Sequence, residues 1–364
     1  MYSCLRLLTL SQIRSSYSDF FVKTPEYEVN QFSYSRVYTR SNYISNSLFS
    51  YVTFQSAIYY STKQPIELLI ESSAFNNCSS YSNGGAVYYF ATVGDLVLNG
   101  VCFSDCYTES GSGQALYTYS GSASIHLFNM VSVHHCSPFI GTSSLNQAMY
   151  ISRGNQNHTR LNSSFNYANT HASFYINGVN SFSINFSNIV QNSATNSFVM
   201  RFETHSASGF MKYSNIIQNT SPITSQAVLA IYGVIDITFS IFLQNYGVLF
   251  YKESIYSFTI SKSVVVHLGG FPISTGSSLN SVQTVTSMTE TYSYSHYYTY
   301  YCPAQGVIGE EISPCQTLPP EPTIAPSLPA TPTACYQESQ QNSIILWNLA
   351  SNMFASINIL LFAH

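Results

Sequence analysis

Apolar and polar positions along the chain fall into a recurring pattern, a small residue followed by an apolar or aromatic pair. The copies run SAIY at 56, GAVY at 85, QALY at 114, QAMY at 147, SFY at 173, SFV at 197, QAVL at 226 and GVLF at 247. Numbered by their small residues, they are Ala57, Ala86, Ala115, Ala148, Ser173, Ser197, Ala227 and Gly247, a loose period of 20 to 33 residues. A second apolar series, Phe75, Phe103, Val133, Phe165, Val190, Ile217 and Phe242, lies between the copies, and a third precedes it, as at Glu67 to Ile70 and Leu96 to Leu98. Each unit therefore predicts three short strands separated by Ser, Asn or Gly.

Three short strands and their turns fill one coil of a β-solenoid. The regular alternation and turn spacing of a meander are missing, so hairpins do not explain the pattern. Stacked coils do: each strand pairs in parallel with its copy one coil away, about 4.8 Å along the axis. Ala57, Ala86, Ala115 and Ala148 then lie above one another, facing inward where the walls meet. Two smaller ladders share this register. Gln191-Asn192, Gln218-Asn219 and Gln244-Asn245 predict amides hydrogen-bonded from coil to coil. Cys78, Cys106 and Cys136 predict a stack of buried free thiols, packed as small hydrophobes. Disulfides between adjacent coils also fit on distance and would need suitable Cβ directions.

Composition agrees with a β protein. Only 8% of residues are charged, and the polar positions are filled by Ser, Thr, Asn and Gln beside 30 Tyr and 24 Phe. A net charge of -4 over 364 residues provides no basic patch, which argues against nucleic-acid binding.

The units FNNCSSYSNGGAVYYF (75 to 90) and DLVLNGVCFSDC (95 to 106) resemble those of right-handed parallel β-helix domain proteins, within them the expanded protist surface-protein families. The resemblance covers roughly residues 45 to 275 and is sharpest from 70 to 152. It implies a single right-handed β-helix of eight or nine coils, and the handedness rests on it alone.

Outside the coils, residues 1–44 are expected to form an irregular cap over the first coil. The opening MYSCLRLLTLSQIRSS is a poor secretory signal, because Arg6 interrupts its apolar run. The Tyr/Ser-rich segment 276–302 is expected to pack along the exterior. Residues 303–343 hold PPEPTIAPSLPATPT and read as a Pro-rich stalk. The apolar tail 344–363 is about long enough to span a bilayer, but Asn348, Asn352 and Asn358 interrupt it. A docked helix, a membrane span and a removed lipid-anchoring signal all fit it. Sequons at Asn77, Asn157, Asn162, Asn185 and Asn219 offer glycosylation sites to a secreted chain.

Catalytic chemistry is thin. A polysaccharide hydrolase needs paired carboxylates, and the best pair on offer is Glu67 with Asp95, 28 residues apart. His134-His135-Cys136 suggests metal ligation, yet adjacent strand residues face opposite ways and two ligands do not close a zinc site. Cys102 and Cys106 lack a second pair at ligand spacing. No catalytic residue, cofactor or metal is therefore expected. The sequence leads to a non-catalytic, adhesin-like interaction module, on the cell surface or secreted, binding carbohydrate or protein, with membrane association through 344–363. The alternatives are a degenerate polysaccharide-active enzyme, pectate-lyase-like or a glycoside hydrolase, and a decayed family member without activity.

Overall fold

The strand Val87–Ala91, VYYFA, buries Val87, Tyr89 and Ala91 and leaves Tyr88 and Phe90 half-buried, the period-two pattern of a wall with one face inward. In the computed structural model it pairs in parallel with Ile58–Thr62 on one side and Leu116–Ser120 on the other. The structure describes residues 17–21, 43–137, 147–221, 226–253 and 256–267, with short strands at Glu28–Val29, Phe32–Ser33, Val37–Tyr38, Ser274–Gly276 and Ser281–Thr284. Successive partners on this first wall are Ile58, Val87, Leu116, Met149, Phe174, Met200, Leu229 and Phe250. The chain is thus a parallel β-solenoid, and parallel crossovers of this kind wind right-handed.

A second wall stacks Leu68, Leu96, His126, Gln156 and Phe182. A third stacks Phe49, Phe75, Phe103, Val133, Ser163, Ile189, Ile216 and Phe242. Interior rings stack from coil to coil, Phe49 on Phe75 at 5.0 Å and Phe75 on Phe103 at 5.0 Å. The core is therefore a column inside the walls.

The corners explain how so little chain turns so sharply. Between second and third walls a single residue takes a left-handed conformation: Ser72, Gly100, Met130, Arg160, Phe186, Tyr213, Phe239 and Lys262, with φ between 45° and 64°. A matching row follows the third wall at Asn77, Asp105, His135, Phe165, Gln191, Gln218 and Gln244. One such residue reverses the inward and outward alternation and redirects the strand. The corner N–H groups still bond to the next coil, as Ser72 N donates to Asn99 O and Asn77 N to Ser104 O, so the bend leaves no orphan donor. Four corner serines add a second link: the hydroxyls of Ser73, Ser187, Ser240 and Ser263 accept the N–H groups of Ser47, Leu161, Ser214 and Ser240.

Several register assignments change. The small row holds at Ala57, Ala86, Ala115, Ala148 and Ser173, all fully buried, but its later members are Val199, Val228 and Leu249 rather than Ser197, Ala227 and Gly247. On the third wall the inward residues are Ser163, Ile189 and Ile216 rather than Phe165, Val190 and Ile217. Phe165 has φ 54° and occupies the corner, so its apolar character does not mark the core.

At the N-terminus, Glu28–Val29, Phe32–Ser33 and Val37–Tyr38 already pair with Tyr43, Leu48 and Ile58, so winding begins inside the expected cap. The helical turn Tyr17–Phe20 packs on the flank: Tyr17 and Phe21 cluster with Leu69 and Val97, two outward apolar residues that need cover. At the other end the stack continues to Ser281–Thr284. The stalk 303–343 and the apolar tail 344–363 lie outside the described residues. Among the described residues, no helix is long and apolar enough to cross a membrane.

Candidate functional site

The cysteine and amide ladders are one ladder. Each member follows a left-handed corner, and the order is Cys78, Cys106, Cys136, Asn166, Asn192, Asn219 and Asn245, all buried. Asn166, Asn192, Asn219 and Asn245 join through side-chain amide bonds of 2.9, 3.1 and 3.1 Å. Each Nδ2 also donates to a carbonyl one coil back: Val133, Ser163, Ile189 and Ile216. The thiols of Cys78 and Cys106 fill the same role weakly, toward Phe49 O and Phe75 O at 3.5 and 3.6 Å. All three cysteines are free. Mutual hydrogen bonding and burial raise the Cys78 thiol well above its ordinary range, and burial does the same to Cys106, which leaves them unreactive. The glutamines expected to share this ladder stand outside it, Gln218 reaching Gln244 at 2.9 Å on the surface.

This placement separates the sequons. Asn157 is exposed and Asn77 and Asn185 are half-buried. Asn162 is buried and donates to Ser132, and Asn219 is committed to the interior ladder. A glycan on Asn219 would need the Nδ2 that bonds Ile189 O and Asn245.

The third wall carries the most catalytic-looking cluster. His134 Nδ1 lies 3.1 Å from Ser164 Oγ, and His135, at the corner, pairs with the Asp105 carboxylate one coil below. The bond to Asp105 raises the His135 pKa and lowers that of Asp105, while burial lowers that of His134. His134 is therefore a neutral base beside a hydroxyl. Ser164, however, is fully buried, and the carboxylate orients His135 instead of His134. A nucleophile needs both access and an oriented base, and the cluster provides neither. Cys136 points inward, away from both rings, and among the described residues no three His, Cys, Asp or Glu side chains are placed to hold a metal.

Glu67 and Asp95 are register partners on the second wall. Asp95 Oδ1 accepts the Ile125 N–H of the next coil at 2.7 Å, a structural use of its carboxylate.

A row that the sequence reading passed over lies on the first wall's outer face. Tyr59, Tyr88, Tyr117, Tyr150 and Tyr175 are register partners. The first four rings stack nearly parallel, with centroids 4.8, 5.2 and 4.9 Å apart and planes within 11°. Beside them Phe90 stacks on Tyr119 at 4.9 Å, and the Arg153 guanidinium covers Tyr119 at 4.7 Å. Burial raises the Tyr88 pKa and pushes that of Tyr117 up to about 12, so both hydroxyls stay protonated donors. The hydroxyls of Tyr59, Tyr88 and Tyr117 are neither buried nor bonded to protein. Higher up, Tyr150 accepts from Asn177 and Tyr175 donates to Glu203, which pairs with Arg201 at 2.9 Å. Arg201 in turn lies over Tyr175 and Tyr232. The signal was present in SAIY, GAVY, QALY, QAMY and SFY: the Tyr two places after each small residue is the outward one. No protein-family model, curated protein or solved structure matches the chain.

Proposed function

We propose that the chain is a non-catalytic interaction module, adhesin-like and presented on the cell surface or secreted, whose binding face is the first wall. The observation that carries this reading is the row of half-buried, stacked tyrosines with unbonded hydroxyls on a rigid wall. Tyrosine suits recognition because it offers a large contact area with a polar end at low conformational entropy. The resemblance of residues 70 to 152 to protist surface-protein units supports the location. Labelling of intact cells expressing the tagged chain tests location, and an exclusively cytosolic signal removes it. Binding is tested on an array of neutral and acidic glycans and matrix proteins, comparing the full chain with its Tyr88→Ser/Tyr117→Ser variant. Binding unaffected by the two substitutions on every spot refutes the module reading.

The Glu67 and Asp95 register favours one second reading, a degenerate polysaccharide-active enzyme. Depolymerisation of any glycan that is lost in Glu67→Ala and Asp95→Ala would establish it.

A further inference from the structure

The tyrosine row has a geometry that selects among ligand classes. Because each ring face of Tyr88 and Tyr117 is covered by a neighbouring ring, a ligand cannot stack flat upon them. It meets ring edges and hydroxyls, one per storey. From Tyr59 to Tyr150 the row contains no charged residue, and Arg201 and Glu203, where charge begins, neutralise each other. Burying an unpaired ligand charge against such a face would be unfavourable. The spacing discriminates further. An extended peptide advances about 3.3 Å per residue and falls out of step with the hydroxyls by the next storey. An extended β-1,4-linked pyranose chain advances close to one storey per sugar and turns alternate sugars over, so successive phenols meet hydroxyls of opposite sugar edges in alternation.

We infer that the row Tyr59, Tyr88, Tyr117 and Tyr150 binds a neutral β-1,4-linked glycan lying parallel to the solenoid axis, one sugar to each coil. The inference rests on the interaction-module reading and names its ligand. Tyr59, Tyr88 and Tyr117 supply hydrogen bonds that no protein group takes up, and Tyr150, which accepts from Asn177, still has its O–H to donate. Arg153, held over Tyr119, borders the row and makes acidic glycans the necessary comparison.

The test is calorimetric titration of the full chain with cellobiose, cellotetraose, cellohexaose, chitohexaose and hexagalacturonate. Affinity should rise from the disaccharide to the tetrasaccharide and then level off, and hexagalacturonate should bind more weakly than the neutral hexamers. Tyr88→Phe and Tyr117→Phe keep the stacked rings and remove one hydroxyl each. Each should weaken binding about fivefold, the equivalent of about 1 kcal/mol for a net hydrogen bond, at an unchanged melting temperature. Absence of binding by both neutral hexamers, tighter binding of the acidic one, or unchanged affinity in the double Tyr→Phe variant overturns the inference. If glycans fail while a matrix protein binds in a manner lost with Tyr88→Ser/Tyr117→Ser, the ligand class falls and the module stands. If no spot responds to those substitutions, both fall.

Discussion

Asn219→Ala should damage the solenoid far more than its position in a Gln-Asn pair suggests. Its amide makes four bonds: Nδ2 donates to Ile189 O at 2.8 Å and Asn245 Oδ1 at 3.1 Å, and Oδ1 accepts Asn192 N at 3.0 Å and Asn192 Nδ2 at 3.1 Å. Truncation removes all four and leaves the Asn192 N–H without its acceptor inside a fully buried site. At about 1 kcal/mol for each net bond the loss is about 4 kcal/mol. For a solenoid of this size that corresponds to a fall in melting temperature of roughly 8 to 16 °C. Gln218→Ala, one residue away, loses one surface amide bond and should change stability by less than about 0.5 kcal/mol. Thermal unfolding followed by circular dichroism gives the magnitude. Native-state hydrogen exchange gives the location, because coils contact only their neighbours. Protection should fall first around Asn192 and Asn245. A melting temperature within about 3 °C of wild type, against the fall expected per kcal/mol, or equal effects of the two substitutions would refute the ladder's role.

Acid should weaken the coils carrying His126, Gln156 and His158. His126 and His158 are fully buried, joined through Gln156, and burial depresses their pKa values to about 4 and about 3. Folding therefore favours the neutral rings: stability is full above the ordinary histidine range near pH 6.5 and declines as pH falls toward 4, by up to about 3 kcal/mol for His126. Urea midpoints between pH 7 and 4 should show this slope, and the His126→Leu/Gln156→Leu/His158→Leu variant should flatten it; an equal slope in both refutes the assignment. His135 should titrate above its ordinary range in wild type and fall back in Asp105→Asn, read by NMR, while His135→Ala shifts stability by under about 1 kcal/mol because the pair is solvent-exposed. Cys136→Asn should be tolerated, since Asn166 already accepts the Cys136 N–H and the thiol position continues the amide ladder; a marked loss of melting temperature would contradict a shared position.

Most of the architecture was legible because stacking repeats the same constraint. Ala57 to Ala148 occupy one inward row, and a residue too large there would clash with every neighbouring storey. The register of later coils was less legible for a local reason. A left-handed corner reverses which residues face inward, so Phe165 at a corner imitates a core residue while Ser163, fully buried and bonded to Ser173, takes the inward place. Periodicity also hid the continuity of the thiols with the amides, because Cys106 and Asn166 look unrelated until both are seen directing a donor at the carbonyl one coil back. The candidate site was written in plain view as Tyr88, Tyr117 and Tyr150. Attention to the small residue obscured the alternation that turns its second neighbour outward.

The left-handed corners carry an evolutionary consequence. The corner N–H groups of Ser72, Arg160, Phe186, Tyr213 and Phe239 all bond to the next coil, and side chains so different at one site show that the bend asks little of their chemistry. Down each edge of the column runs a crest on which mutations can be sampled with small effect on folding. Phe186, Tyr213 and Phe239 already form an aromatic run there, tipped by Lys262. A lineage could thus recolour that crest repeatedly while the column beneath stays the same.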